Sequence, residues 1–407
     1  KHHLKDEQGL QSWFIKEIEA FVNSKGKKII GWDEILEGGL APNATVMSWR
    51  GTQGAIEAAK EGHDVILTPT SHAYFDYYQD DHPEEPLAIG GFLPLEKVFS
   101  FNPIPDELEG AERDKVLGAQ GNIWTEYIKT KEQVEYMAFP RILAMAEVVW
   151  SGPTENLEAD YPEFLKRTEH FMERLEVLNV NYANHLYDLE GSVVKKEGNV
   201  LFELQTPIPD KTIKYKVNDG PEEAYTKPIA LFEDTQITAQ VYKEGQALGR
   251  TFTENITFHK GITGTITINA EPHPAYGEGG PAALINGVAG SDTRYGDKEW
   301  LGFWGDDLEI TIDFDKTVAI SKISMRFYDA NGQWIYAPKE IRVLVKHETA
   351  ALQTSFKKEG NLVFAEIPLQ VRDNKVVLRI PSYGTIPDGL QGAGNKAWTF
   401  IDEIVIE

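Results

Sequence analysis

Four large aromatic residues stand near the ends of predicted strands in the first part of the chain: Trp32, Trp49, Tyr74 and Trp124. Any one of them alone could be a core or rim aromatic, but four in successive strand modules favour a pocket. Aromatic rings gathered at one end of a sheet form an apolar wall that suits the C–H faces of a sugar ring. Carboxylates, which accept hydrogen bonds from sugar hydroxyls, accompany them at Asp33, Glu34, Asp76 and Glu126.

The region that must position these side chains, residues 1–186, alternates helical and strand patterns. Strands joined through helices indicate parallel pairing and an α/β fold. In a β/α barrel, the carboxyl ends of the strands and the loops after them build the active site. The predicted strands are 28–32, 45–49, 64–68 and 116–124, and the predicted helices are 10–22, 55–61, 131–150 and 161–178. One apolar face of the first helix comprises Leu10, Trp13, Phe14, Ile18, Phe21 and Val22.

The helical period disappears after residue 186, and the rest of the chain reads as β structure. We expect a small Ig-like β-sandwich over residues 187–260 and a jelly-roll-like β-sandwich over 261–407. A stretch rich in Gly and Pro near 260–282 is a plausible boundary between them. The clearest predicted strands are 200–204, 212–217, 236–242, 252–258, 309–314, 322–328, 340–346, 376–380 and 398–405.

The composition excludes several classes of function. Lys and Arg number 40 and Asp and Glu number 64 in 407 residues, which gives a net charge of −24. Nucleic acids and anionic membrane surfaces attract clustered Lys and Arg, so we expect neither as a partner. No apolar run approaches the roughly 20 residues that a membrane helix needs, so we expect no membrane insertion. Because the chain has no cysteine, disulfides, thiolate nucleophiles and Cys-ligated metals are excluded.

Four motifs follow one another through the first region. They are GKKIIGWDEILEGGLAPNATVMSWRG at Gly26–Gly51, SHAYFDYYQ at Ser71–Gln79, GAQGNIWTEYI at Gly118–Ile128 and FPRILAMAEVVWS at Phe139–Ser151. In this order they resemble the second half of the catalytic barrel of glycoside hydrolase family 20, the β-N-acetylhexosaminidases. The resemblance covers about residues 5–180 and implies the second half of a (β/α)8 TIM barrel.

The resemblance also implies roles for single residues. Trp32, Trp49 and Trp124 would wall the pocket for a terminal N-acetylhexosamine. Tyr74 would donate a hydrogen bond to the carbonyl oxygen of the 2-acetamido group, while Asp76 and Glu126 would bind the substrate, Glu126 through ring hydroxyls. The implied mechanism is substrate-assisted: the acetamido oxygen attacks the anomeric carbon, a Glu protonates the leaving oxygen, and a neighbouring Asp orients the acetamido nitrogen. No cofactor is implied for catalysis.

The sequence departs from the family at the acid/base pair. The family carries that pair in a His-x-Gly-Gly-Asp-Glu motif after the fourth barrel strand, and this motif is not in the chain. Asp33-Glu34 matches a later Trp-Asp-Glu segment instead, so we do not expect it to be the acid/base pair. We therefore expect this chain alone to be inactive as a hydrolase.

Only four strands can be counted before the β domains begin, whereas eight βα units need about 250 residues. A half barrel would leave open edges on a parallel sheet. The other half could come from a longer chain or from a second chain, or the open half could pack against a symmetry-related copy. We favour truncation from a longer enzyme.

The two β regions carry weaker resemblances. Residues 187–260 are similar to the small β domain that follows the barrel in chitobiase-type hexosaminidases. Residues 275–407 resemble a discoidin-type (coagulation factor 5/8 C-terminal) domain through LINGVAGSD, a Trp-rich loop and TFIDEIVIE. Such domains often carry a structural Ca²⁺, and Asn286, Asp292 and Glu403 fall where oxygen ligands would stand. Packing aromatics and loop-capping carboxylates are the simpler interpretation of these residues.

Two functions therefore remain open. The first is part of an exo-acting β-N-acetylhexosaminidase that removes terminal β-linked N-acetylhexosamine from glycans. The second is a non-catalytic carbohydrate-binding protein with a degenerate barrel. A His-x-Gly-Gly-Asp-Glu motif encoded upstream of Lys1 would favour the first, and a start codon near Lys1 would favour the second. By analogy with other exo-glycosidases that carry β domains, we expect an extracytoplasmic location.

Overall fold

The computed structural model describes residues 4, 6–82, 84–345 and 354–407. The chain divides into two compact units. The first runs to Leu186 and includes Pro207–Pro209, and the second contains Tyr187–Thr206 and Asp210–Glu407. No helix within the described ranges is long and apolar enough to cross a bilayer. The further domain boundary predicted at residue 260 stays a prediction.

The first unit combines seven α-helices with a four-stranded sheet in the described residues. Its strands are β1 (Ile30–Trp32), β2 (Thr45–Ser48), β3 (Val65–Leu67) and β4 (Val116–Ala119). Its helices are α1 (Glu7–Ser24), α2 (Gln53–Lys60), α3 (Thr70–Ala73), α4 (Leu95–Phe99), α5 (Lys131–Ala138), α6 (Arg141–Ser151) and α7 (Leu157–Val177).

The sheet is parallel, and its strands lie side by side in chain order, β1-β2-β3-β4. Val46, Val65 and Leu67 are fully buried in it, and α2 packs against β2 and β3. Because all four strands run the same way, their carboxyl ends and the loops after them lie at one edge of the sheet. At this edge lie the residues that follow Trp32, Ser48, Leu67 and Ala119.

Apolar side chains are exposed on the outer elements of this unit. Strands β1 and β4 are the sheet edges, and there Ile30 and Leu117 are 56% and 59% exposed. The apolar face predicted for α1 points largely to solvent, whereas the polar residues Ser12 and Glu19 are buried. The exposed members of that face are Leu10, Phe14, Ile18 and Phe21.

Two predicted elements of this unit are wrong in extent. The helix predicted over 131–150 is two helices, α5 and α6, separated at Phe139 and Pro140. Proline has no N–H to continue a helix, and it forces Phe139 into the extended conformation observed, with φ −101° and ψ 138°. The strand predicted over 116–124 ends at Ala119. Beyond it, Asn122 instead exchanges main-chain hydrogen bonds with the segment around Tyr74, where Phe75 N donates to Asn122 O over 2.7 Å.

The second unit is built from antiparallel strands. Its sheets have the orders β5-β6-β9, β11-β10-β7-β8 and β13-β18-β14-β17-β15, with β12 beside β14 and β16 beside β17. The strands are β5 (Glu190–Lys196), β6 (Asn199–Gln205), β7 (Thr212–Val217), β8 (Glu223–Ala224), β9 (Ile229–Ala230), β10 (Thr235–Lys243), β11 (Gln246–Ile256), β12 (Thr265–Ile268), β13 (Leu301–Trp304), β14 (Leu308–Tyr328), β15 (Arg342–Leu344), β16 (Ser355–Glu359), β17 (Leu362–Ile380) and β18 (Trp398–Ile406).

The strands predicted in this unit fall within or across observed strands, with different limits. Residues 309–314 and 322–328 belong to one long strand, β14, which pairs with β17 through two register irregularities. The strand predicted over 340–346 is limited to β15, and Lys346 lies outside the described residues. Along β14 and β17, buried apolar residues alternate with more exposed ones, as period-2 patterning predicts, and they form a core together with Ile401, Ile404 and Ile406 of β18.

Candidate active site

The carboxyl edge of the parallel sheet brings the four predicted aromatic residues together. Trp32 ends β1, and its ring centroid lies 5.8 Å from that of Trp124, in the loop after β4. Trp49 follows β2, and its ring lies 6.5 Å from Tyr74, at the end of α3. The indole N–H of Trp124 also interacts with the Tyr74 hydroxyl. The four rings therefore form one contiguous aromatic group.

The four residues of this aromatic group differ in their exposure to solvent. Trp124 is 41% exposed and Trp32 and Trp49 are half-buried, whereas Tyr74 is 8% exposed. Burial raises the pKa of the Tyr74 hydroxyl, with the side chains of Trp124 and Asn122 acting in the opposite direction. Tyr74 is thus protonated at neutral pH, and its hydroxyl can donate a hydrogen bond.

Asp76 lies buried beside these rings with one oxygen free to accept a hydrogen bond. The residue is 4% exposed, and its Oδ1 has no hydrogen-bond partner among the described residues. Burial raises the pKa of its carboxyl, while main-chain N–H groups of Asp76 and Trp124 lower it and the nearby Glu126 charge raises it. An unpartnered buried carboxylate oxygen is costly unless a ligand supplies a donor.

Glu126 completes the predicted set, at the exposed margin. It lies two residues after Trp124, is exposed to solvent, and is close enough to Asp76 to affect its pKa. The structure thus brings all six predicted residues of this site into one neighbourhood, although their roles stay predictions.

Asp33 and Glu34 accept hydrogen bonds from the residues that directly follow β2. Asp33 is 2% exposed and accepts hydrogen bonds from the main-chain N–H groups of Trp49 and Arg50 and from the Arg50 Nε, at 3.1, 3.2 and 2.6 Å. Both oxygens of Glu34 accept from the Trp49 indole, at 3.2 and 3.1 Å. Gly54 leaves room for this, because a Cβ there would lie 2.9 Å from the Asp33 Cβ. The only sign of this supporting role in the sequence is the position of two carboxylates directly after a strand.

The three predicted calcium ligands are engaged with other protein groups. Asn286 donates to Glu299 over 2.7 Å, and its side-chain oxygen accepts from Val288 N over 2.7 Å. Asp292 has a side chain 72% exposed and pairs with Arg326 over 2.9 Å. The calcium site stays a prediction from the resemblance, and these contacts do not support it.

The third of these residues, Glu403, is paired with a buried histidine. Its Oε1 contacts His259 Nε2 over 2.7 Å, and its Oε2 accepts from Gly287 N over 3.1 Å. The other ring nitrogen, His259 Nδ1, accepts main-chain N–H groups from Gly261 and Ile406. A nitrogen that accepts cannot carry a proton, so the proton lies on Nε2 and is donated to Glu403. Burial lowers the pKa of His259 to about 4, which favours this neutral form.

Comparison with known proteins finds similarity to one family in the first part of the chain. Residues 1–153 match the family described as glycosyl hydrolase family 20, catalytic domain. A β-hexosaminidase of Porphyromonas gingivalis is 52% identical over 189 residues, which are 46% of this chain and 24% of that protein. The N,N'-diacetylchitobiase of Vibrio harveyi is 27% identical over 246 residues, covering 52% of this chain and 27% of that protein.

Among solved structures, the exo-β-N-acetylglucosaminidase of Vibrio harveyi in complex with N-acetylglucosamine is 33% identical, with a TM-score of 0.39. The match covers 44% of this chain and 28% of that one. The chain spans about a quarter of the length of the first curated relatives that it matches, 24%, 24% and 21%. The first unit, a mixed α/β fold, is thus similar to the catalytic domain of glycosyl hydrolase family 20 over residues 1–153.

Proposed function

We propose that the first unit is the second half of the catalytic barrel of an exo-acting β-N-acetylhexosaminidase, which removes terminal β-linked N-acetylhexosamine from glycans. The observation that carries the proposal is the single aromatic group formed by Trp32, Trp49, Tyr74 and Trp124 beside the buried oxygen of Asp76. An apolar wall with a few convergent polar groups is the usual form of a small-ligand site.

In this proposal the chain binds and orients the sugar. The three indoles hold the pyranose ring, and Asp76 and Glu126 accept hydrogen bonds from its hydroxyls. The neutral Tyr74 hydroxyl donates to the acetamido carbonyl oxygen as that oxygen attacks the anomeric carbon and the bond to the leaving oxygen breaks. Water then opens the resulting oxazolinium-type intermediate with overall retention at the anomeric carbon.

The proton donor for the leaving oxygen and the Asp that orients the acetamido nitrogen come from the other half of the barrel. Asp33 and Glu34 are the carboxylates with which they could be confused, but both are bonded to the segment at Trp49 and Arg50. Catalysis by this route needs no metal or organic cofactor.

Exposed apolar surface supports a barrel completed by further strands. Parallel sheets are normally covered on both faces and paired at both edges. Here Ile30 and Leu117, on the two edge strands, and the apolar face of α1 are exposed. The missing half comes from a longer chain or a second chain; we favour a longer chain, since the curated relatives are about four times the length of the matched segment.

The two β regions are proposed as accessory domains of an extracytoplasmic enzyme, an Ig-like sandwich over 187–260 and a discoidin-like sandwich over 261–407. Their antiparallel sheets are compatible with both.

The test compares this chain with a longer polypeptide from the same gene that contains the complete barrel. The 407-residue chain should bind N-acetylglucosamine, measured by ligand-observed NMR, but should not hydrolyse an aryl β-N-acetylglucosaminide. The longer polypeptide should hydrolyse it, since general acid catalysis alone contributes about 10²–10⁴-fold.

Two variants sharpen this comparison. Trp124→Ala should weaken binding by about tenfold, the scale of one lost aromatic contact. Trp150→Ala should leave binding unchanged, because Trp150 is 91% exposed on α6. Turnover by the 407-residue chain that is abolished by Glu34→Gln would overturn the assignment of the acid/base pair. Sugar binding without hydrolysis by the longer polypeptide would favour the carbohydrate-binding alternative.

A further inference from the structure

An arginine at the start of α6 is completely buried, and no carboxylate among the described residues is hydrogen-bonded to it. Arg141 is 0% exposed, and its side chain makes five hydrogen bonds, all to main-chain carbonyl oxygens. A guanidinium has five N–H donors in a fixed planar fork, so all of them are used. Glu147, on the same helix, pairs with Arg167 over 2.8 Å and not with Arg141.

The acceptors of Arg141 lie in three separate segments of the first unit. Its Nη2 donates to Phe75 O over 2.5 Å, and its Nη1 donates to Tyr77 O and to Leu93 O, each over 3.0 Å. The Nε and Nη2 atoms donate to Met137 O, in the last turn of α5, at 3.2 and 2.6 Å. One side chain therefore joins the segment at residues 75–77, the segment at Leu93 and the end of α5.

The first of these segments carries the buried polar groups of the candidate active site. Phe75 O and Tyr77 O are the carbonyl groups on either side of Asp76, and Tyr74 directly precedes Phe75. The guanidinium also lies over the Phe75 ring, 5.3 Å from its centroid. That ring is fully buried against Gly121, where a Cβ would lie 2.6 Å from it. The segment is thus fixed through its main chain and through the ring between Tyr74 and Asp76.

Packing alone does not account for an arginine at this position. Burial of an unpaired charge is costly, and an apolar side chain of similar volume would fill the space at lower cost. Burial lowers the pKa of Arg141 to about 9, while the charges of Asp76 and Glu85 act in the opposite direction. The side chain is therefore still charged at neutral pH, and its hydrogen bonds to the carbonyls are charge-assisted.

We propose that Arg141 is a positioning residue that holds the 74–77 segment so that Tyr74 and Asp76 are presented together to the ligand. The identity of that ligand rests on the proposed function. The control of the 74–77 segment by Arg141 does not depend on that function. Lysine has one ammonium in place of a planar fork, so it cannot reach carbonyls in three segments with the same geometry.

The experiment compares Arg141→Lys with a matched control, Arg167→Lys, which alters an exposed arginine paired with Glu147. Hydrogen–deuterium exchange of the 407-residue chain is measured at residues 73–79, with α2 as an internal reference. N-acetylglucosamine affinity is measured by ligand-observed NMR at a temperature where far-UV circular dichroism shows the variant folded. Arg141→Lys should speed exchange at 73–79 and weaken affinity, each by about tenfold, with α2 unchanged and Arg167→Lys like the wild type.

The outcomes separate the two proposals. Unchanged exchange at residues 73–79 in Arg141→Lys would overturn the positioning role. So would faster exchange with unchanged affinity, because the residue would then be structural only. Faster exchange in a chain whose wild type binds no N-acetylglucosamine would support control of the segment and count against the proposed function. If Arg141→Lys does not fold, Phe75→Leu, which keeps every carbonyl acceptor, should give the same pattern more weakly.

Discussion

Replacing Glu254 by glutamine should stabilise the second unit at alkaline pH and leave it unchanged at acid pH. Glu254 lies in β11 among like charges. Burial raises the pKa of its carboxyl to about 7, and the charges of Glu299 and Asp297 act in the same direction, against Lys298 and the main-chain N–H of Asn255. The folded protein therefore holds this proton at pH values where the unfolded chain has released it.

The size of the effect follows from the shift of this pKa. The carboxyl moves from its ordinary value of 4.5 to about 7, and each unit is worth about 1.36 kcal/mol. Because the pKa is raised in the folded state, the stability that Glu254 contributes is full below pH 4.5 and is lost as the pH rises through 7. The total loss is about 3 kcal/mol. Glutamine cannot ionise, and its side-chain oxygen can still accept from Asn255 N, as Glu254 Oε1 does over 3.2 Å.

The assay is urea unfolding at pH 5 and pH 8.5, with hydrogen exchange at residues 246–256 to assign the transition to the second unit. Glu254→Gln should be more stable than the wild type by about 3 kcal/mol at pH 8.5 and nearly equal to it at pH 5. Glu271→Gln, which alters an exposed carboxylate of the same unit, serves as the control. The same stability difference at both pH values, or destabilisation at pH 8.5, would refute the reasoning.

Two further predictions concern a histidine and a tyrosine. Burial lowers the pKa of His259 from 6.5 to about 4, so its contribution of about 3 kcal/mol should be complete above pH 6.5 and lost as the pH falls toward 4. His259→Gln should remove this acid-side loss in urea unfolding measured between about pH 4 and pH 7, and an unchanged slope of stability against pH would contradict a neutral His259 in the folded protein. The proposed function predicts that, in an enzyme with the complete barrel, Tyr74→Phe lowers kcat by about 10²–10³ with a smaller change in substrate binding, because one donor to a developing charge is removed. An unchanged kcat would mean that Tyr74 is only part of the pocket wall.

Strand positions and the grouping of the four aromatic residues could be predicted from the sequence, because strands follow from local patterns. Each predicted strand of the first unit overlaps an observed one, and the aromatic residues follow from strand ends that meet at one edge of a parallel sheet. The interruption at Pro140 was also present in the sequence, since proline limits the residue before it.

Other features depend on distant neighbours. The apolar face of α1 was predicted from its period, but the period does not reveal that Ser12 and Glu19 are the buried residues; these bond to Gly39 O and Asn43 N. Three of the four acceptor residues of Arg141, namely Phe75, Tyr77 and Leu93, lie 48 to 66 residues away in sequence. The main-chain partners of Asp33 lie 16 and 17 residues away. An arginine within the apolar run that begins α6 was the only local sign of its burial.

The order of the strands has a consequence for synthesis on the ribosome. In the first unit each strand pairs with the one made just before it, so the sheet can grow while the chain emerges. In the second unit β18 lies between β13 and β14. Leu301 of β13 pairs with Ile401 of β18, which is synthesised a hundred residues later. Pairings over such a separation form slowly, and the strands left without partners are prone to aggregate. Nascent chains should therefore depend on chaperones mainly while β13 and β14 await β18.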